Sequence, residues 1–266
     1  MSCSTSPSRC AIVYLVSIRR ADLAKGWVAA AHVPWHSGTP SSGTRASGTL
    51  YAPLMIALAV FDLDGTLVDS QQDLANAANA LVRELGGSRL PDADVVAMVG
   101  EGAAVLVRRV LAAAALDPET SGALPRFLEL YDDRLIENTA PYAGIPAVLE
   151  ELRSRVPLAV LTNKPQQVTD RLLGALDLSR YFAHVIGGDT DLGRKPEPGG
   201  LLRLCAGAGA APADTVMVGD SSIDLETALR AGTRIVLTSY GFGYRFPRAP
   251  PYPTASTPAE ILRRLR

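Results

Sequence analysis

Between residues 56 and 238, short apolar segments alternate with segments whose apolar residues recur at helical spacing. This alternation is typical of parallel strands joined by helices that lie on the faces of the sheet. The first segment, IALAVF, is apolar at every position, as expected for a strand that is buried on both faces. The predicted strands are residues 56–61, 157–161, 182–186, 215–218 and 234–238, and the helices between the later strands are residues 144–154, 166–175, 198–208 and 222–231.

The connection between the first and second predicted strands is too long for a loop and carries helical patterns. These patterns cover residues 70–85, 91–99, 103–116 and 122–137. We therefore predict an α/β fold whose doubly wound (Rossmann-like) parallel sheet forms a core with an inserted α-helical cap subdomain. The predicted boundaries are 55–70 and 140–245 for the core, 71–139 for the cap and 246–266 for a C-terminal tail.

The first part of the chain differs in composition from the rest. Residues 37–49, SGTPSSGTRASGT, are rich in Ser, Gly and Thr, which is typical of a disordered linker. Met55 stands immediately before the first predicted strand. We therefore hypothesise that the natural chain starts at Met55 and that residues 1–54 are a disordered or non-native extension. An intact mass showing a native chain that begins well before Met55 would contradict this hypothesis.

Bulk composition excludes several classes of partner. The formal net charge is −1, so there is no basic excess to indicate nucleic-acid binding. No apolar stretch approaches the roughly 20 residues that a membrane helix needs. The three cysteines, Cys3, Cys10 and Cys205, form neither a close pair nor a metal-ligand spacing, which favours a reducing cytoplasm. Both a monomer and a homodimer are consistent with the sequence.

Polar clusters follow four of the predicted strands. Asp62 and Asp64 follow the first strand, and Thr-Asn-Lys-Pro at 162–165 follows the second. Arg-Lys-Pro at 194–196 lies in the loop after the third, and GDSSID at 219–224 follows the fourth. In an open parallel sheet, ligands bind at the carboxyl ends of the strands, so we expect these clusters to meet there.

The residue types in these clusters favour a metal and a phosphate. Asp62 and Asp220, with Asp224 nearby, offer hard oxygen ligands without histidine or cysteine, which suits Mg²⁺. Lys195 adds a second cation, and Thr162 adds a hydroxyl near backbone N–H groups at a helix start. We therefore predict a magnesium site beside a phosphate-binding site.

The paired aspartates of the first cluster predict covalent catalysis. An aspartate carboxylate whose buried negative charge is compensated by a metal can attack phosphorus and form an aspartyl-phosphate. A second carboxylic acid nearby can protonate the leaving oxygen and later deprotonate water. We therefore predict that Asp62 and Asp64 supply the nucleophile and the acid/base.

The order DxDGT, Thr-Asn, Lys-Pro, GDSxxD resembles the haloacid dehalogenase superfamily of phosphohydrolases over residues 56 to about 245. The long helical insertion is similar to the cap of that superfamily's first cap class. The resemblance implies that Asp62 is the nucleophile and Asp64 the general acid/base. It also implies that magnesium is bound by the side chains of Asp62 and Asp220 and by the backbone carbonyl of Asp64. Thr162 and Asn163 would bind the phosphate, and Lys195 would be the stabilising cation. Asp224 would support the metal through water or hold Lys195.

A narrower resemblance is to the bacterial phosphoglycolate phosphatases. GGDTDLGRKPEP at 187–198, VGEGAAVLVRR at 99–109 and LTSYGFGY at 237–244 are similar to segments of that family. The resemblance implies a small phosphorylated metabolite, 2-phosphoglycolate, as substrate. The sequence departs from the family at Gly199-Gly200, and the tail, PRAPPYPTAS, lacks the clear final strand that the family implies.

The cap is predicted to carry substrate specificity, because binding residues often lie on segments that close over a rigid scaffold. We expect Gly100 and Gly102 to let backbone N–H groups approach a small substrate. Arg108 or Arg109 is a candidate for pairing with a substrate carboxylate. The alternative for each arginine is a solvated helix face.

Three other functions are compatible with parts of this pattern. A phosphosugar mutase of the same superfamily would return the phosphoryl group instead of releasing it. A dehalogenase would attack carbon and would need neither magnesium nor a second aspartate, so Asp64 and Asp220 argue against it. A phosphate-binding regulatory module would have no turnover, and Asp62→Asn would then change nothing measurable.

Overall fold

The core is built on a six-stranded parallel sheet in a computed structural model that describes residues 56–265. The strands in chain order are β1 (Leu58–Phe61), β2 (Val68–Asp69), β3 (Ala140–Pro141), β4 (Leu158–Leu161), β5 (His184–Ile186), β6 (Thr215–Gly219), β7 (Arg234–Thr238) and β8 (Thr254–Ala255). The sheet has the order β5-β4-β1-β6-β7-β8, with every neighbouring pair parallel. The predicted parallel sheet is thus confirmed, and the prediction for residues 234–238 matches at both ends.

Strand β1 lies between β4 and β6, and the register brings their carboxyl ends level. Phe61, the last residue of β1, is opposite Val160 of β4 and Val218 of β6. The residues that follow these three strands therefore start from the same edge of the sheet. This edge is where an open parallel sheet binds its ligands.

Helices cover both faces of the sheet. The helices in chain order are α1 (Gln71–Glu84), α2 (Asp92–Ala97), α3 (Ala103–Ala113), α4 (Ala123–Asp132), α5 (Ile145–Arg153), α6 (Gln166–Ala175), α7 (Gly199–Ala208), α8 (Ser222–Ala231) and α9 (Pro258–Arg264). Buried side chains of α5, α6 and α9 pack with Ala59 and Phe61 of β1, whereas those of α7 and α8 pack with Leu58 and Val60. Alternate residues of β1 thus face opposite layers, which gives the doubly wound arrangement.

The long connection after β1 forms the predicted helical insertion, with helices α1 to α4. Helix α1 packs against α2, α3 and α4. Leu74 and Leu81 of α1 share a buried cluster with Phe127 and Leu130 of α4. The apolar residues at helical spacing therefore bury against one another within the cap. None of the helices in the described part of the chain is both long and apolar enough to span a membrane.

The chain enters and leaves the cap through one short ribbon. Strands β2 and β3 are antiparallel, with Val68 opposite Pro141 and Asp69 opposite Ala140. The buried Asp73 carboxylate, in the first turn of α1, reinforces this junction. It accepts hydrogen bonds from four donors on the return segment: the backbone N–H groups of residues 138 and 139, the side-chain amide of Asn138 and the hydroxyl of Thr139, at 2.7–3.1 Å.

We expect Asp73→Asn to destabilise the protein. Burial alone raises the pKa of Asp73, but the hydrogen bonds from Asn138 and Thr139 outweigh it and lower the pKa below its usual value. An amide presents one acceptor oxygen in place of two, so buried donors lose partners, at about 1–3 kcal/mol for each such donor. The measurement is denaturant unfolding, with the exposed Asp94→Asn as the control that leaves stability unchanged.

The pH dependence of this effect has a definite sign. Because the pKa of Asp73 is lower in the folded state, its contribution is fully present above the unfolded-state pKa, about 4. The contribution disappears as the pH falls through the folded-state value. The stability difference between the wild type and Asp73→Asn should therefore be large at pH 7 and shrink below about pH 4. A difference that is constant from pH 7 to pH 3 would contradict this assignment.

The C-terminal residues form more structure than the sequence indicated. The sequence analysis found no clear final strand in the tail, and that interpretation is wrong. Residues Thr254 and Ala255 form β8, which pairs in parallel with β7, and α9 follows with the fully buried Ile261. The strand is only two residues long and lies in a proline-rich stretch, so it has no periodic signal. Residues 1–54, predicted to be an extension, lie outside the described residues.

Candidate active site

Lys195 lies at the centre of a buried group of carboxylates at the carboxyl edge of the sheet. Its Nζ is 2.6 Å from Oδ1 of Asp62 and 2.6 Å from Oδ1 of Asp224. Its side chain is 3% exposed. Burial lowers the pKa of Lys195, but the Asp224 and Asp62 carboxylates more than offset this and raise it above its usual value. Lys195 is therefore a fixed positive charge beside Asp62.

Asp62 follows β1 directly, and its surroundings disfavour the ionised form of its carboxyl group. Its backbone N–H donates to the carbonyl of Val218 on β6 at 2.9 Å, which fixes its position between the two strands. Burial raises the pKa of Asp62 to about 7; Lys195 opposes the rise and Asp224 adds to it. A further positive charge nearby would therefore favour the ionised form of this carboxylate at neutral pH.

Asp224 is held by both of its oxygens. Oδ1 accepts from Lys195, and Oδ2 accepts from the backbone N–H and hydroxyl of Ser221 at 3.0 and 2.6 Å. Ser221 in turn caps α8, so the two residues form a capping box at the start of that helix. Of the two roles predicted for Asp224, these contacts match the one of holding Lys195. Its support of a metal through water stays a prediction.

Asp220 follows β6 and is surrounded by glycines. Gly243 donates its backbone N–H to Oδ2 of Asp220 at 2.7 Å. A Cβ on Gly65 or Gly241 would overlap the Asp220 carboxylate, and Gly65 also has φ +87°, a conformation that side chains disfavour. Burial raises the pKa of Asp220, and the neighbouring Asp224 and Asp62 raise it further. The glycines thus leave room for the Asp220 carboxylate, and the Gly243 N–H holds it in place near Asp62 and Asp224, which repel it.

Asn163 connects three parts of the site. Its Oδ1 accepts from the backbone N–H of Lys195 at 2.8 Å, and its Nδ2 donates to the Lys195 carbonyl at 3.0 Å. The same Nδ2 donates to the carbonyl of Gly100 in the cap at 3.0 Å. The side chain therefore positions the loop of Lys195 and contacts the cap. The buried Thr162 beside it accepts from the backbone N–H of Lys164 at 3.2 Å and keeps its hydroxyl proton for another partner.

Lys164 is the site residue to which the sequence analysis gave no role. Its Nζ lies 2.9–3.0 Å from both carboxylate oxygens of Asp64 and 4.5 Å from the centre of the Tyr131 ring, which comes from the cap. Burial lowers the pKa of Lys164, but the charge of Asp64 outweighs that effect and raises it. Ser70 also donates to Asp64, at 2.6 Å. The available signal was its place in the Thr-Asn-Lys-Pro cluster, three residues after the end of the buried strand β4.

The residues present fit a hard divalent cation. One carboxylate oxygen from each of Asp62, Asp220 and Asp224 lies within 4.8 Å of the others, and all three residues are buried. Across the site, four carboxylates face two ammonium groups, which leaves two negative charges. An oxygen-only donor set with this charge suits Mg²⁺. Of the three ligand candidates, Asp220 keeps one carboxylate oxygen without a hydrogen bond from the described residues.

A cavity of about 250 Å³ lies beside these groups, and the cap forms part of its wall. Its wall includes Asp62, Asp64, Thr162, Asn163, Lys195 and Asp220, so the structure brings six of the seven predicted site residues to its surface, and Asp224 lies behind Lys195. Gly100 and Gly102 also line it. Arg109 lines the cavity but is paired with Glu101 at 2.5 Å, and Arg108 is exposed and 3.9 Å from Glu119.

Comparison with known proteins gives a consistent result. The family described as haloacid dehalogenase-like hydrolase matches residues 59–238. "Phosphoglycolate phosphatase 1" of Pseudomonas aeruginosa is 39% identical over 215 residues, 79% of each chain. "Phosphoglycolate phosphatase" of Photobacterium profundum is 37% identical, over 72% of this chain and 87% of the relative. A crystal structure described as "a predicted phosphoglycolate phosphatase" from Haemophilus somnus superposes with a TM-score of 0.72 at 30% identity, covering 78% of this chain and 97% of the other.

Proposed function

Since the chain belongs to the haloacid dehalogenase-like hydrolase family, we propose that it is a magnesium-dependent phosphatase that hydrolyses 2-phosphoglycolate to glycolate. The observation that carries the proposal is the buried Lys195 between Asp62 and Asp224, with Asp220 close enough to share a metal. This group lines a cavity whose wall also includes Asp64 and Thr162. The proposed nucleophile, acid/base and stabilising cation thus line the same cavity.

The proposed magnesium ligands are Asp62, Asp220 and the backbone carbonyl of Asp64. When bound, the ion neutralises the excess carboxylate charge and polarises the phosphoryl oxygens. Lys195 supplies a second positive charge to the same oxygens, because it lies 2.6 Å from Asp62. The Thr162 hydroxyl donates to the phosphate, and Asn163 keeps Lys195 in place through its backbone.

The chemistry proceeds in two steps. Asp62 attacks phosphorus, the bond from phosphorus to the substrate oxygen breaks, and Asp64 gives a proton to that oxygen. This leaves an aspartyl-phosphate on Asp62 and a free alcohol, glycolate. Asp64 then removes a proton from water, the water oxygen attacks phosphorus, and the Asp62–phosphorus bond breaks to release inorganic phosphate. Lys164 orients Asp64 for both transfers, since it contacts both carboxylate oxygens.

Metal removal tests the proposal. We expect phosphate release from 2-phosphoglycolate in the presence of Mg²⁺, its loss in excess EDTA, and its recovery when Mg²⁺ is restored. Release from sugar phosphates should be far slower. Activity that chelation leaves unchanged would contradict the metal assignment. Conversion of a sugar phosphate to its isomer without release of phosphate would identify a mutase instead, and a faster rate with another phosphomonoester would overturn the substrate.

The proposal includes the setting in which the enzyme works. Its partner is a small phosphorylated metabolite, with no role for nucleic acid or a membrane, and it acts in the cytoplasm as a monomer or homodimer. The net charge of −1 supports the exclusion of nucleic acid.

A further inference from the structure

Four cationic side chains line the cavity, and one of them differs from the rest. Lys195, Lys164 and Arg109 each have a carboxylate partner within 4 Å. Arg245 is exposed on its outer side and has neither an ion pair nor a hydrogen bond to any residue in the described part of the chain. Its charge is therefore not cancelled by a neighbouring acid, so it is available to a ligand in the cavity.

The backbone on both sides of Arg245 is anchored. The rings of Tyr244 and Phe246 contact each other edge to face, with centroids 5.0 Å apart, and both pack against the apolar cluster on the α7–α8 side of the sheet. Gly243 is tied to Asp220 by its N–H. The residues before and after Arg245 are thus fixed, while Gly243 and Arg245 themselves face the cavity.

Arg245 lies only two residues from a contact with a proposed metal ligand, which suits recognition of a short substrate. Gly243 contacts the proposed magnesium ligand Asp220, and Arg245 follows two residues later. Consecutive Cα atoms are 3.8 Å apart, so the two Cα atoms are separated by at most about 7 Å. A guanidinium group extending from this position reaches a group only a few bonds from the phosphate. Its planar fork matches a carboxylate in a bidentate manner.

We propose that Arg245 binds the carboxylate of the substrate and thereby selects phosphomonoesters that carry a second negative group close to the phosphate. This inference rests on the proposed phosphatase function. It differs from the expectation that a cap arginine performs this task, because Arg109 is already neutralised by Glu101 and Arg108 lies outside the cavity wall. Arg245 belongs to the core, so it recognises the substrate from the side of the metal.

The test compares two substrates that differ only in the group concerned, 2-phosphoglycolate and 2-hydroxyethyl phosphate. Arg245→Met should raise KM for 2-phosphoglycolate by about tenfold or more, the loss expected for a hydrogen bond to a charged group. Its kcat should change by less than about twofold, and both constants for 2-hydroxyethyl phosphate should stay near the wild-type values. Arg245→Lys should recover part of the preference, because it keeps the charge and loses the fork.

Arg248→Met is the matched control, since Arg248 is exposed, lies three residues away and is absent from the cavity wall. It should leave both substrates unaffected. Equal changes for the two substrates in Arg245→Met, or no change for either, would overturn the inference while the phosphatase function stands. If the wild type releases phosphate from neither substrate in an Asp62-dependent manner, the proposed function fails, and this inference fails with it.

Discussion

Replacing Asp62 with asparagine should lower kcat for phosphate release at least about 10⁴-fold, as removal of a nucleophile does in other covalent hydrolases. The amide is a poor nucleophile, and the change also removes a partner of Lys195 and a proposed metal ligand. The measurement is phosphate release at saturating 2-phosphoglycolate and Mg²⁺. Asp191→Asn is the control, because Asp191 is exposed, lies in the same loop as Lys195 and does not line the cavity.

The same variant should fold at least as well as the wild type when metal is absent. The folded-state pKa of Asp62 is about 7, above the ordinary value of 3.8. Between these values folding opposes ionisation, so stability falls as the pH rises from about 4 to 7 and stays lowered above that. A neutral asparagine avoids this penalty. Thermal unfolding in EDTA at pH 8 should show no loss of Tm, and a large loss would mean that inactivity reflects misfolding.

Lys164→Met is expected to have the largest effect on stability. The lysine is 5% exposed and pairs with Asp64, so its removal leaves a carboxylate in a mostly buried position without its counter-charge. Breaking a buried ion pair in this way costs about 3–5 kcal/mol. Activity should also fall, by about 10²-fold or more, because the acid/base loses the group that orients it. Denaturant unfolding and phosphate release measure the two effects.

A second variant separates the ion pair of Lys164 with Asp64 from the packing of the Lys164 side chain. In the double variant Asp64→Asn/Lys164→Met both charges of this pair are absent, so a large part of the lost stability should return while activity stays low. Arg263→Met, which removes an exposed ion pair with Glu260, is the control and should leave unfolding unchanged. Stability losses that simply add in the double variant would show that Lys164 acts through its packing and not through Asp64.

The local patterns of the core were readable from the sequence, because each depends on residues close together in the chain. The apolar run before Asp62 and the periodic residues of α6 and α8 predicted their elements with ends within about two residues. The convergence of four polar clusters on one edge followed from the parallel sheet alone. Strand β8 was not predicted, because a two-residue strand has no apolar periodicity and exists only through its pairing with β7.

Pairings across long sequence separations were not readable in the same way. The contact between Lys164 and Asp64 joins residues 100 positions apart, and its meaning depends on the burial of both side chains. The same holds for the hydrogen bond that Asp73 accepts from Thr139, 66 positions away. The pairing of each arginine also could not be predicted, since the sequence cannot show that Glu101 neutralises Arg109 while Arg245 has no partner among residues 56–265.

The ribbon of β2 and β3 has a consequence for how such enzymes diversify. The chain leaves the core at Val68 and returns at Pro141, directly opposite, so the two ends of the insertion are already adjacent before any cap is added. A lid of different size or shape can therefore be spliced in at this point without altering the spacing of the catalytic strands. The cap's share of the cavity wall can therefore change in size and shape while the residues at the carboxyl edge of the sheet, Arg245 included, keep their positions.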